Sequence, residues 1–123
     1  MSETPGERFV AAIAAKDADG LRAVLDPAID FRALTPRKAW EAASADEVVD
    51  EIVFRHWFAP TDDITGVVRV ETDDVGPRHR VGYRLAVTNA DGDHLVEQQA
   101  YYESDGDRIT WIRIVCAGFL PVG

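Results

Sequence analysis

The chain of 123 residues is long enough for one domain with its own core and too short for two comfortable ones. Its 22 acidic residues outweigh 13 basic ones, and a net charge of −9 argues against the basic face that a nucleic acid or an anionic membrane would require. A lone cysteine, Cys116, excludes an internal disulfide, and the three histidines have no metal-ligand spacing.

The first element is a helix. Thr4-Pro-Gly-Glu7 reads as a capping box with Pro5 in the first turn, and Phe9, Ala12 and Ile13 then share one face. The apolar run VAAIAA is short and follows an acidic start, so neither a signal peptide nor a membrane span is expected, and the reading is a cytoplasmic protein. Asp17 caps a second short helix carrying Leu21, Val24 and Leu25, which Asp26-Pro27 stops. Residues 29–34 alternate as a strand, Thr35-Pro36 breaks it, and 37–42 can form a second.

Ser44-Ala-Asp-Glu47 opens a third helix that runs to about Phe58, where Pro60 ends it. With α-helical spacing, Val49, Ile52, Val53, His56 and Trp57 make one apolar stripe, which places His56 toward the core. Four strands follow, at 64–72, 79–89, 93–103 and 108–117, separated by turn residues that include Gly76-Pro77, Asp91-Gly92 and Asp105-Gly106. An antiparallel meander is expected, curved by bulges at Gly66 and Gly82. Helices first and a long sheet last make an α+β fold, a single domain over 1–123.

The order α-α-β-β-α-β-β-β-β, with FVAAIAAKD at 9–17, LRAVLDPAID at 21–30 and YESDGDRITWIRIV at 102–115, resembles the SnoaL-like branch of the nuclear transport factor 2-like superfamily. The resemblance implies a cystatin-like cone in which three helices and a strongly curved, mostly antiparallel sheet enclose a conical pocket. It leaves the activity open, since the family includes isomerases, cyclases, dehydratases, hydrolases and proteins without catalysis.

Alternation assigns the strand faces. Ile112, Ile114 and Cys116 face in, as do Val81, Tyr83, Leu85 and Val87. The run GDHLVEQQAYY turns His94, Val96, Gln98, Ala100 and Tyr102 inward and leaves Glu97 outside, within reach of Arg84 or Arg113. An inward row of small and polar residues is how a pocket reads in sequence, although a buried glutamine satisfied by water or backbone reads the same way. His94, beside a turn, reads as solvated.

His56 is the candidate catalytic residue, because a buried imidazole that stays uncharged can act as a general base. Gln98, Tyr83, Tyr102, Trp57, Phe31 and Cys116 are the candidate substrate-binding residues. The resemblance implies a carboxylate base on the first strand in ketosteroid isomerases and several cyclases, and Phe31 stands at the best-matching position while Asp30 faces out. A second isomerase acid would fall near Gln98, which can still donate to an oxyanion.

No cofactor or metal is expected. If Arg32, Arg37 and Lys38 rim the pocket mouth they would favour an anionic ligand; a solvated loop explains them equally. The function expected is a pocket for a small hydrophobic molecule, as an isomerase, cyclase or dehydratase on a carbonyl-bearing compound or as a non-catalytic ligand-binding or dimerising protein. The resemblance also implies a homodimer through the outer sheet face, at Arg84, Tyr101, Trp111 and Arg113.

Overall fold

The computed structural model describes residues 3–122, so the two ends of the expected domain, residues 1–2 and 123, lie outside the described residues. Helix α1 (Pro5–Ala14) starts as its sequence dictates. Thr4 Oγ1 accepts from the Glu7 amide at 3.1 Å, and the Glu7 carboxylate accepts in return from the Thr4 amide at 3.0 Å. Bonds donated by the Thr4 amide and hydroxyl hold the Glu7 carboxyl below its ordinary range. Helix α2 (Ala18–Val24) is capped by Asp17, whose Oδ1 accepts from the Gly20 amide at 2.9 Å.

Six strands form one sheet: β1 (Leu25–Thr35), β2 (Lys38–Ala42), β3 (Asp63–Val75), β4 (Arg78–Asn89), β5 (Gly92–Asp105) and β6 (Arg108–Pro121). Their order across the sheet is β2-β1-β6-β5-β4-β3. The last four make the expected antiparallel meander, and β6 pairs parallel with β1. Gly76, Gly92 and Gly106 all have positive φ in the three hairpin turns, the conformation for which glycine is chosen.

The inner face carries Phe31, Val81, Tyr83, Leu85, Val96, Ala100, Ile112 and Ile114, all buried beneath the helices. Phe9 of α1 meets Tyr83 edge-on with ring centroids 6.3 Å apart. The face assignment made by alternation holds along β1, β4, β5 and β6. His94 is a correction. It is only 8% exposed, with Nδ1 3.1 Å from the Gly92 carbonyl and its ring beside Phe119.

The bulges are also partly elsewhere. The register between β3 and β4 does slip at Gly66, but Gly82 stays in register opposite Gln99. A β-carbon on Gly82 would strike the Gln99 amide, so this glycine is there for a side chain to lie across it. A further bulge falls between the pairs Val96–Phe119 and Gln98–Cys116, where Gly118 has φ of 91°. It bends β6 and carries the strand beyond its expected end to Pro121.

The third helix (Glu47–Trp57) departs most from expectation. It is a π-helix, closed by a bond from the Phe58 amide back five residues to the Val53 carbonyl at 2.8 Å. Winding with more residues per turn rotates the stripe. Val48, Val49, Ile52, Val53 and Trp57 are buried, and His56 is left exposed at the edge of the stripe instead of at its middle. The expected burial of His56 is therefore corrected, because it rested on α-helical spacing.

Candidate functional site

Three inward residues sit on one row across adjacent strands. Tyr83 on β4 is paired with Gln98 on β5, and Gln98 with Cys116 on β6. Above them β6 bends at Gly118, and the third helix ends at Trp57. The space between is a cavity of about 160 Å³, lined chiefly by His56, Trp57, Gln98, Cys116, Trp40 and Phe119. Four of the expected site residues are thus brought together: His56, Trp57, Gln98 and Cys116. Lys38 places Nζ 3.9 Å from the centre of the Trp40 ring, while Arg32 turns to Glu41 at 3.8 Å.

The other three expected residues stand apart from the cavity wall. Tyr83 lies one strand away from Gln98 on the same rung, and its hydroxyl donates to Gln98 Oε1. Burial, reinforced by neighbouring Cys116, pushes the Tyr83 phenol well above its ordinary value, so it stays protonated and donating. Tyr102 is further along β5, where its hydroxyl accepts from the Gly6 amide at 3.1 Å and its ring lies beside His79. It anchors α1 to the sheet, which corrects its expected place among pocket residues. Phe31 is fully buried in the core, its ring 5.9 Å from that of Trp57, and supports the cavity from beneath.

Within the cavity the polar atoms divide in an informative way. Trp40 Nε1 donates to Thr35 Oγ1 at 2.8 Å. Trp57 Nε1 and Gln98 Nε2 are buried and have no hydrogen-bond partner among the described residues. The two side chains are 6% and 1% exposed, so bulk water does not solvate them. A buried donor left unpaired costs about 1–3 kcal/mol. His56 stands at the rim, its ring 5.2 Å from that of Trp40, and no aspartate or glutamate lines the cavity.

Sequence reasoning missed Thr35, Phe58, Gly118 and Phe119 as cavity residues. For Phe119 the signal was Ala117-Gly118, a bulge in a strand taken to have ended. The paired aspartates act in turns, as expected: Asp62 Oδ2 accepts from the Ala59 amide at 3.1 Å and Oδ1 from the Asn89 side chain at 3.0 Å. On the opposite face of the sheet a broader groove of about 350 Å³ runs beside Leu34, Tyr101, Arg113 and Val115.

No family model and no curated protein sequence matches the chain. Solved structures do. An NTF2-like protein from Burkholderia thailandensis, 22% identical, superposes with a TM-score of 0.65 over 94% of this chain and 92% of that one. The chain has the nuclear transport factor 2-like fold. An LEH-like epoxide hydrolase from M. tuberculosis is 16% identical, with a TM-score of 0.64 over 91% of this chain and 79% of its own. A protein of ketosteroid isomerase-like fold from Catenulispora acidiphila, solved in complex with trimethylamine, is 9% identical, with a TM-score of 0.65 over 93% and 85%. Across such distances the nuclear transport factor 2-like likeness fixes architecture, and chemistry must be argued from the residues of this chain. No helix among the described residues is long and apolar enough to cross a membrane.

Proposed function

We propose that this protein is a small-molecule pocket protein of the SnoaL-like kind, whose site is the cavity between the third helix and the bend of β6. The observation that carries this reading is the pair of buried, unpartnered donors on Trp57 and Gln98, both on side chains that line that cavity. A core assembled only for stability gains nothing from such atoms. In the catalytic form of the reading His56 moves the proton, as an isomerase, cyclase or dehydratase acting beside a carbonyl would require, and Gln98 with Trp57 holds the substrate.

The second form, ligand binding without catalysis, is favoured by one specific observation. No carboxylate lines the cavity, and no hydrogen bond orients the His56 ring among the described residues. A general base is normally held by a partner.

The test is a thermal-shift screen of small carbonyl compounds against the wild-type protein and Cys116→Phe, which fills the cavity from its wall. Stabilisation of wild type that the variant loses supports the pocket. Equal response of the two proteins removes it. Turnover of any stabilising compound, lost in His56→Ala with binding retained, selects the catalytic form.

The outer sheet face supports a homodimer as part of the same reading. Tyr101 is 42% exposed there beside Leu34 and Val115, and Trp111 lies between the guanidinium groups of Arg78 and Arg113 at 4.1 and 4.4 Å. Large exposed apolar groups ringed by arginine are common at protein interfaces. Sedimentation equilibrium should give twice the chain mass, reverting to one chain mass in Tyr101→Glu; a monomeric wild type removes this part.

A further inference from the structure

Strand β3 ends the sheet, and among the described residues no strand pairs with its outer edge. From Thr65 to Val75 every residue is exposed, Val67, Val68 and Val70 among them. A long edge with apolar side chains and a free row of backbone N–H and C=O groups is a template for another strand. Charge usually blunts such edges, but here it is balanced. Residues 63–89 hold four carboxylates and four arginines, so the β3–β4 hairpin is neutral in a chain of net charge −9. At the far end of β3 the acids are held by their own neighbour strand, Asp73 opposite Arg80 and Asp74 2.6 Å from His79 Nδ1.

We propose that β3 pairs antiparallel with β3 of a second copy of this chain, about a two-fold axis at Val70. An axis normal to the sheet must pass through a residue, because adjacent residues point their N–H groups to opposite edges. Charge then selects the residue within Arg69–Val75, the run that follows β4 without a break. Centring on Arg69, Glu71, Asp73 or Asp74 sets like charges face to face, centring on Thr72 sets Glu71 against Asp73, and centring on Val75 leaves almost no strand to overlap. Centring on Val70 sets Arg69 of each copy opposite Glu71 of the other. Arg69 and Glu71 share the outer face, where they meet within one chain at 2.7 Å, so the four charges of the pair alternate. Val70 meets its own copy on the inner face. The bulge at Val68 keeps the regular pairing short, so the contact is weak and forms at chain concentrations well above those of the sheet-face dimer. It is also separate from that face, which centres on Tyr101 and Trp111.

The experiment is disulfide trapping in the full chain with its native thiol removed by Cys116→Ser. Directly opposed residues of antiparallel strands have Cα atoms about 4.5–5.5 Å apart, within reach of a disulfide. Val70→Cys should therefore give a covalent dimer on mild oxidation. Thr72→Cys, about 13 Å from its own copy in this register, should not. Reversing one charge, by Arg69→Glu or Glu71→Arg, should slow trapping of Val70→Cys by about tenfold, and the double reversal should restore it, which a loss of folding cannot do. Tyr101→Glu should leave trapping unchanged. No covalent dimer from Val70→Cys, equal trapping at position 72, or single reversals without effect overturns the proposal. Loss of trapping in Tyr101→Glu overturns it too, since the contact would then follow from the sheet-face dimer. Failure of that dimer reads differently: Tyr101→Glu leaves the chain mass as it was, and trapping at Val70 persists.

Discussion

Tyr83 and Gln98 occupy one rung of the sheet and are joined by a bond from phenol to amide oxygen on the inner face, while the next rung joins Arg84 to Glu97 on the outer face at 2.8 Å. The two rungs differ in what they are worth. The inner pair is sealed from water and cannot be rehydrated when broken, whereas the outer pair is half-exposed and screened.

Tyr83→Phe therefore leaves the whole Gln98 amide unpaired, and urea unfolding should show a loss of about 1–3 kcal/mol. Adding Gln98→Met to it removes both members of the bond, so the double variant should lose less than the sum of the singles. Strict additivity would show that the bond is not made.

For the outer pair the effect is one of pH. Hydrogen bonding to Arg84 holds the Glu97 carboxyl below its ordinary range. A depressed carboxyl stabilises the fold above its unfolded pKa, about 4.3, and that contribution is lost as pH falls through the folded value. The Tm of Glu97→Gln should thus lie slightly below wild type at pH 7 and converge with it in acid, with a difference worth at most about 1 kcal/mol.

His56 gives a test of the third helix. Because the residue is exposed, His56→Ala should change stability by no more than about 0.5 kcal/mol. An α-helical stripe would bury it and make the same change far more costly, so a loss of several kcal/mol would argue against π winding.

Gly118→Ala should be the most damaging of the small changes. The position has φ of 91°, and a β-carbon there would come within 2.9 Å of Pro36 Cγ. A loss of about 1–3 kcal/mol is expected by thermal unfolding, together with a weaker ligand response, since Gly118 also lines the cavity.

The fold was readable from the chain because its signals are local. Thr4 and Asp17 announce helix starts, Asp91-Gly92 and Asp105-Gly106 announce hairpins, and alternation places Gln98 inside with Glu97 outside. The candidate site was less readable because its geometry depends on departures from regular periods. A π-helix moves His56 to the rim, and a bulge brings Phe119 into the wall. Neither departure has a composition signal as clear as a cap or a turn. Tyr102 shows a third limit: alternation gives the face of a residue but not its height along the strand, and its hydroxyl meets Gly6 rather than the cavity.

The winding of the third helix has a consequence for the cavity. Each of its hydrogen-bonded rings encloses one residue more than an α-helix would, so successive side chains are set at a smaller angle around the axis. α-Helical spacing would put position 56 on the buried stripe with Val49, Ile52 and Val53, whereas the wider winding holds it at the cavity rim. The depth to which a side chain at position 56 enters the cavity is therefore set by the backbone's winding and not by the composition of the sheet.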